Sequence, residues 1–102
     1  MAAKVEWSEI ALHDLESATG YVGADYPERG IRFGDSLVEF AEALGTFPLM
    51  GRVVPEFGLA GLRELILPPY RIVYDVNHAE THVIILRVWH SARGIPELPG
   101  NS

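Results

Sequence analysis

The chain has no cysteine, no long apolar run and few basic residues. Without cysteine it has no disulfide framework, no thiolate metal site and no cysteine nucleophile, which suits a reducing compartment. No apolar run approaches the ~18 residues of a membrane span, and Met1–Trp7 lacks the apolar core of a signal peptide, so we expect neither. Eight basic against 14 acidic side chains give a net charge of −6, which argues against non-specific nucleic-acid binding as the main role.

What the chain does have is enough apolar sequence for one folded domain. It contains 102 residues, 48% of them hydrophobic, too apolar for intrinsic disorder. We therefore predict a single domain over residues 1–102, with a frayed tail from about residue 98. Charge is uneven: residues 1–50 hold three bases and nine acids, whereas residues 51–102 hold five of each, and all five bases there are arginines. The acidic surplus thus belongs to the first half.

The first half is typical of a strand followed by two helices. Lys4–Trp7 alternates polar and apolar residues, as a strand with one buried face does. Ser8 is a good N-cap for a helix that we expect Tyr26 and Pro27 to end. A second amphipathic helix is predicted from about Glu28 to Leu44, with Gly45 and Pro48 as stop signals. Two such helices joined by a few residues make an antiparallel hairpin.

The second half changes to a strand period. Met50–Gly61, with three glycines and a proline, is predicted to be a loop. Three strands are then predicted, at Leu62–Leu67, Tyr70–Val76 and His82–His90. The last is apolar on both faces and should be central. The predicted fold is α+β: a short N-terminal strand, an antiparallel two-helix hairpin and a three-stranded antiparallel meander.

Few residues suggest catalytic chemistry. His78 and His82 flank Glu80, but the sequence offers no further ligands beside them, so a solvated turn is favoured and no metal is expected. No Gly-x-Ser-x-Gly motif and no glycine-rich loop opening a helix is present, and no cofactor is expected. His90 ends the predicted central strand. It could act in acid–base catalysis or contact a ligand, and the alternative is that it only caps the end of the strand.

The arginines of the meander point to a binding surface. Strand alternation places Arg71 on one face of its strand, and Arg87 and Trp89 together on one face of theirs. One sheet face must cover the helices, so we expect the face with Arg71 and Arg87 to be open, where arginine beside aromatic residues binds partners. The alternative is that these arginines only pair with the surplus carboxylates.

Several segments together resemble one known family. Arg63-Glu64-Leu65, Tyr70-Arg71-Ile72-Val73-Tyr74 and the run from Ile85 to Arg93 are similar to the C-terminal half of the RelE/ParE toxin superfamily, and Val5-Glu6-Trp7-Ser8 resembles its opening. These toxins belong to bacterial type II toxin–antitoxin pairs and are often labelled plasmid stabilisation proteins. The resemblance implies a strand, a helical hairpin and a meander. It also implies a cytoplasmic growth-inhibiting toxin that its antitoxin wraps and neutralises.

The superfamily has two branches with different targets. RelE-like members cut mRNA on the ribosome with a basic cluster, whereas ParE-like members inhibit DNA gyrase. Aligned on the tyrosine–arginine motif, Leu62 and Glu64 stand where the nucleases carry lysines, and their C-terminal tyrosine falls near Glu97. Neither an aliphatic side chain nor a carboxylate stabilises an anionic RNA backbone.

We therefore favour a ParE-like gyrase inhibitor that is not an enzyme and that meets nucleic acid only through its antitoxin or its target. The resemblance implies a ribbon-helix-helix, ParD-like antitoxin as its partner. The residues expected to contact the target are Arg71, Arg87, Trp89, His90 and Arg93. The alternative is a RelE-like, ribosome-dependent mRNA endoribonuclease that uses Arg71, His90 and Arg93. A third alternative is a degenerate member that binds its partner and has lost toxicity.

Overall fold

The structure, a computed structural model, describes residues 2–99 and places two helices against one face of a mixed sheet. The strands are β1 (Lys4–Trp7), β2 (Arg52–Val53), β3 (Leu62–Leu67), β4 (Tyr70–Val76) and β5 (His82–His90). The helices are α1 (Glu9–Val22) and α2 (Pro27–Thr46), and a 3-10 turn at Ser91–Arg93 follows β5. The predicted α+β class is confirmed. Neither of the two helices combines the length and the apolar character needed to cross a membrane.

The sheet differs from the prediction in two respects. Its order is β1-β5-β4-β3-β2, so it has five strands rather than an N-terminal strand plus a three-stranded meander. The first addition is β2, which pairs antiparallel with β3 inside the segment predicted as a loop, Met50–Gly61. The second is that β1 runs parallel to β5, from Lys4 opposite His82 to Trp7 opposite Ile85. This pairing makes β5 central, as predicted.

The helical hairpin follows from its capping and its glycines. The hydroxyl of Ser8 accepts the backbone N–H of Ala11 at 3.1 Å, which confirms the predicted N-cap of α1. The first helix ends at Val22, earlier than predicted, and Pro27 is the first residue of α2, a position where its missing N–H costs nothing. A Cβ at Gly30 would overlap the carbonyl oxygen of Thr19, so only glycine allows the helices to approach this closely.

A β-bulge in β5 changes which side chains face the helices. Arg87 lies opposite Val73, but Ile85 lies opposite the next residue along β4, which leaves Leu86 as an extra residue. As a result Ile85 and Val88 both contribute to the core beneath the helices, whereas Leu86 packs on the other side of the sheet. The strict alternation that we predicted for this strand is therefore wrong beyond the bulge.

The sheet face away from the helices, here called the loop face, is covered by the chain itself. The covering loop (residues 54–61) and the C-terminal segment (residues 94–99) pack over it. They form a second cluster whose members are Val54, Phe57, Leu62, Val73, Leu86 and Leu98. The expectation of an open face is therefore wrong. Of the tail predicted to fray from about residue 98, residues 100–102 lie outside the described residues, and Leu98 packs in this cluster.

Candidate functional site

Arg71 belongs to an internal ion-pair network on the loop face. Its guanidinium donates to Glu56 through Nη1 at 2.9 Å and Nη2 at 2.7 Å, and through Nε to Glu64. Glu64 is 1% exposed and also accepts from Arg52 at 2.8 Å. The hydrogen bond from Arg71 lowers the pKa of Glu56 to about 2, and both carboxylates raise the pKa of Arg71. With 8% of its surface exposed, Arg71 is not the open residue that we expected.

Arg87 is held in the same way, by a carboxylate from α1. Its Nε lies 2.7 Å from Asp14 Oδ2 and its Nη2 lies 3.1 Å from Oδ1, while its Nη1 donates to the Glu97 carbonyl at 2.8 Å. Asp14 Oδ2 also accepts the backbone N–H of Val88 at 3.0 Å. Because β1 ends at Trp7, no strand pairs with this part of β5 on that side. The carboxylate of Asp14 therefore takes the backbone hydrogen bond that a neighbouring strand would otherwise accept. Arg87 is therefore also closed to solvent, at 6% exposure.

Trp89 connects this buried pair to an exposed arginine. Trp89 is 2% exposed, and its Nε1 donates to the Gly94 carbonyl at 3.0 Å. The guanidinium carbon of Arg87 lies 4.8 Å from the ring centroid, and that of Arg93 lies 4.0 Å from it. Arg93 is exposed, and within residues 2–99 no carboxylate lies within ion-pair distance of it. Its donors remain available to a ligand.

His90 lies on the helix side, beside two tyrosines. Its ring meets Tyr70 edge-on at 5.1 Å and Tyr21 at 5.9 Å between centroids. Tyr21 is 68% exposed and Tyr70 is buried. Together with Arg93 they border a cleft of about 440 Å³ between α1 and the end of β5, here called the His90 cleft. Its lining residues are Asp14, Ser17, Ala18, Tyr21, Tyr70, Val88, His90 and Arg93.

The His90 cleft offers hydrogen-bond donors. His90 Nδ1 accepts the backbone N–H of Ala92 at 3.1 Å, so the neutral imidazole carries its proton on Nε2. Burial raises the pKa of Tyr70, which keeps its hydroxyl protonated. With the guanidinium of Arg93, these groups suit a ligand that presents acceptor oxygens.

The structure divides the five predicted contact residues between two sides of the sheet. His90 and Arg93 border the cleft, while Arg87 and Trp89 lie behind Arg93. Arg71 is paired in register with Trp89, one residue before His90, so its side chain projects to the opposite face from the imidazole. The trio proposed for a nuclease, Arg71, His90 and Arg93, therefore does not converge on one point.

Sequence reasoning missed Asp14, Tyr21 and Tyr70. Asp14, Ala18 and Tyr21 are spaced by four and three residues, so they lie along one side of α1, which passes from the buried Ala18 to the exposed Tyr21. Tyr70 could have been found from the meander, because it lies directly opposite His90. Of the two turn histidines, His82 places its Nε2 3.1 Å from a carboxylate oxygen of Glu6, and within residues 2–99 no three histidine, aspartate or glutamate side chains are grouped as metal ligands.

Comparison with known proteins gives one family and a consistent fold. Residues 5–95 match the family described as "ParE toxin of type II toxin-antitoxin system, parDE". No curated protein sequence matches the chain. A chain of the chromosomal ParDE system of P. aeruginosa is similar in structure, with a TM-score of 0.70, 22% identity, and 87% of this chain and 96% of that chain covered.

Two further solved structures are RelE-like. A chain of the RelBE2 toxin–antitoxin complex from Mycobacterium tuberculosis has a TM-score of 0.64 and 29% identity, with 88% of this chain and 99% of that chain covered. A mutant of E. coli toxin RelE in the free state has a TM-score of 0.66 and 18% identity, with 92% and 88% covered. At 22% and 18% identity, the ParDE chain and the RelE mutant support a common fold and nothing more.

Proposed function

The chain belongs to the family of ParE toxins of type II toxin–antitoxin systems, and we propose that it inhibits DNA gyrase in the cytoplasm. The observation that carries this proposal is that most arginines of the sheet have partners within the chain. Arg52, Arg71 and Arg87 each bind a carboxylate, and Arg63 donates to backbone carbonyls. Arg93 is left as the open cation at the end of the sheet. A single open arginine at this end of the sheet supports contact with a protein target better than binding of an RNA backbone, for which a ribosomal nuclease needs several cations together.

The target-binding surface that we propose is the His90 cleft and its rim. Arg93 and His90 contact the target there, and exposed Tyr21 extends the surface along α1. Arg87 and Trp89 act from behind by fixing the position of Arg93. Arg71 contributes by holding the covering loop through Glu56, not by touching the target.

We further propose a ParD-like, ribbon-helix-helix antitoxin as the neutralising partner. The ParDE system of P. aeruginosa and the RelBE2 complex of Mycobacterium tuberculosis, both toxin–antitoxin pairs, support a partner of this kind. A reading frame for a short ribbon-helix-helix protein beside this one would support the pairing. Co-expression of that protein should restore growth to cells that the toxin arrests.

Supercoiling by purified gyrase tests the proposed activity. The toxin should block supercoiling at near-stoichiometric amounts, and Arg93→Ala should weaken the block at least tenfold without lowering thermal stability. Arg32→Ala is the matched control, because Arg32 is an exposed arginine of α2 remote in sequence from the cleft. Normal supercoiling in the presence of excess folded toxin would refute gyrase as the target.

Ribosome-dependent mRNA cleavage is the second candidate, favoured by the 29% identity to the RelBE2 chain and by a histidine at the rim of a cleft. Cleavage of mRNA in the ribosomal A site that is lost in His90→Ala would establish it. Without Arg71 in the same site, the reaction would depend on His90 and Arg93 alone. Inactivity in both assays, with antitoxin binding intact, would identify a member that has lost toxicity.

A further inference from the structure

Asp75 is a carboxylate on the loop face without an internal partner. It lies in β4, between Leu62 of β3 and Ile84 of β5, at the opposite end of the strand from Arg71. Asp14, Glu56 and Glu64 each bind an arginine, whereas Asp75 makes no side-chain hydrogen bond or ion pair with any residue from 2 to 99.

The carboxylate lies at the side of an apolar groove of about 380 Å³. Leucines from the covering loop, from β3, from β5 and from the C-terminal segment form its walls, together with Phe57. Leu59 is 59% exposed, so the groove is open to a partner. Asp75 itself is exposed at the side of the groove, and partial desolvation by these apolar neighbours raises its pKa. At Gly61 a Cβ would stand 2.8 Å from the carbonyl oxygen of Val76, so the backbone of β4 requires a glycine there, beside Asp75.

The chemistry of the groove excludes most occupants. A phosphate group, whether of a nucleic acid or of an anionic lipid, would be repelled by the carboxylate. A purely apolar segment would bury that carboxylate without a partner, which is unfavourable. A lysine or arginine flanked by apolar side chains satisfies both features, because its alkyl stem packs on leucine while its charged end reaches the carboxylate.

We propose that this groove, the Asp75 groove, binds a segment of a partner protein in which a lysine or arginine stands between apolar side chains. It lies on the sheet face away from the helices, whereas the His90 cleft lies on the helix side. A partner can therefore occupy the groove while the cleft remains free. The inference does not depend on which target the toxin inhibits.

Nuclear magnetic resonance of the full chain with two short peptides tests the inference. The probes are acetyl-Leu-Arg-Leu-amide and the same peptide with neutral citrulline in place of arginine. The arginine peptide should shift the amide signals of Gly61, Leu62 and Leu86 and should lower the pKa of Asp75, read from its carboxyl carbon. The citrulline peptide should bind at least fivefold more weakly and should leave that pKa unchanged.

Two variants make the test specific. Asp75→Asn should weaken the arginine peptide at least fivefold, to the level of the citrulline peptide. Asp25→Asn, an exposed aspartate between the two helices, should not change its affinity. Equal binding of both peptides, shifts outside the groove or no shifts at all would overturn the inference. If Asp75→Asn fails to fold, the inference is tested by the pKa of Asp75 in the unmodified chain, which the arginine peptide should lower and the citrulline peptide should not. Gyrase inhibition is measured in a separate assay, so failure of one proposal is distinguished from failure of the other.

Discussion

The charge network around Glu64 gives a quantitative prediction for Arg71. Replacing Arg71 with methionine keeps the unbranched stem as far as the position of Nε but removes one of the two cations on Glu64, whose side chain is fully buried. Removing one partner of a buried ion pair costs about 3–5 kcal/mol. Arg52 remains at 2.8 Å, and the partly exposed Glu56 can be rehydrated, so we expect the lower end, about 3 kcal/mol.

Urea denaturation followed by circular dichroism measures this loss. Domains of this size are stable by about 5–15 kcal/mol, so about 3 kcal/mol removes a large part of the total. The melting temperature should fall by about 12–24 °C, because each kcal/mol corresponds to about 4–8 °C in a domain of this length. Arg32→Met, on the exposed side of α2, is the matched control and should change stability by less than about 0.5 kcal/mol.

A second substitution separates an unpaired charge from lost packing. Adding Glu64→Gln to Arg71→Met removes the stranded carboxylate, so the double variant should recover at least half of the loss. Two results would refute the reasoning: a loss under about 1 kcal/mol in Arg71→Met, or a double variant no more stable than the single one. Either would mean that Glu64 is not held as a buried anion by Arg71.

Three further perturbations test other parts of the structure. Because the folded pKa of Glu56 is about 2 against 4.5 for the free side chain, its stabilisation is complete above pH 4.5 and is lost as the pH falls toward 2. Urea unfolding should therefore show a steeper loss over this window in the unmodified chain than in Glu56→Gln. Gly30→Ala should cost about 1–3 kcal/mol in thermal unfolding by forcing the helices apart, whereas Gly20→Ala, with nothing within 4 Å, should be neutral or stabilising. Asp14→Asn should cost about 2–4 kcal/mol by leaving Arg87 buried and unpaired, with faster amide hydrogen exchange at the end of β5.

The regular parts of the fold could be predicted from local patterns. The bounds of β1 and β3 to β5 follow from alternation and from turn residues, and both helices from their apolar spacing. Two features could not be predicted in this way. A strand of two residues, Arg52–Val53, is too short to show a period. The parallel pairing of β1 with β5 joins segments almost 80 residues apart, and only the assembled sheet reveals it.

The candidate site was predicted less well, for a physical reason. The bulge at Leu86 lets Arg87 and Trp89 share the loop face although Ile85 faces the helices, and no local signal marks that extra residue. Burial of Arg71 depends on Glu56, a loop residue 15 positions earlier in the chain. Charged residues on a strand are usually exposed. To predict that Arg71 is buried, one must know where its carboxylate partner lies, and the sequence pattern of a single strand does not give that position.

The buried network also bears on the difference between the two toxin branches. Leu62 and Glu64, which the resemblance aligns with lysine positions of the RelE-like nucleases, both lie on the loop face, where they are 4% and 1% exposed. A lysine at position 64 would meet Arg71 and Arg52 at close range, and Glu56, which Arg71 already binds, would be the one carboxylate left in this network of three cations. We therefore expect Glu64→Lys to unfold the chain rather than to confer RNA cleavage, as measured by loss of the urea transition and by an unchanged A-site assay. A folded Glu64→Lys variant that cuts mRNA would show that the loop face can open and that the covering loop is not part of the stable fold.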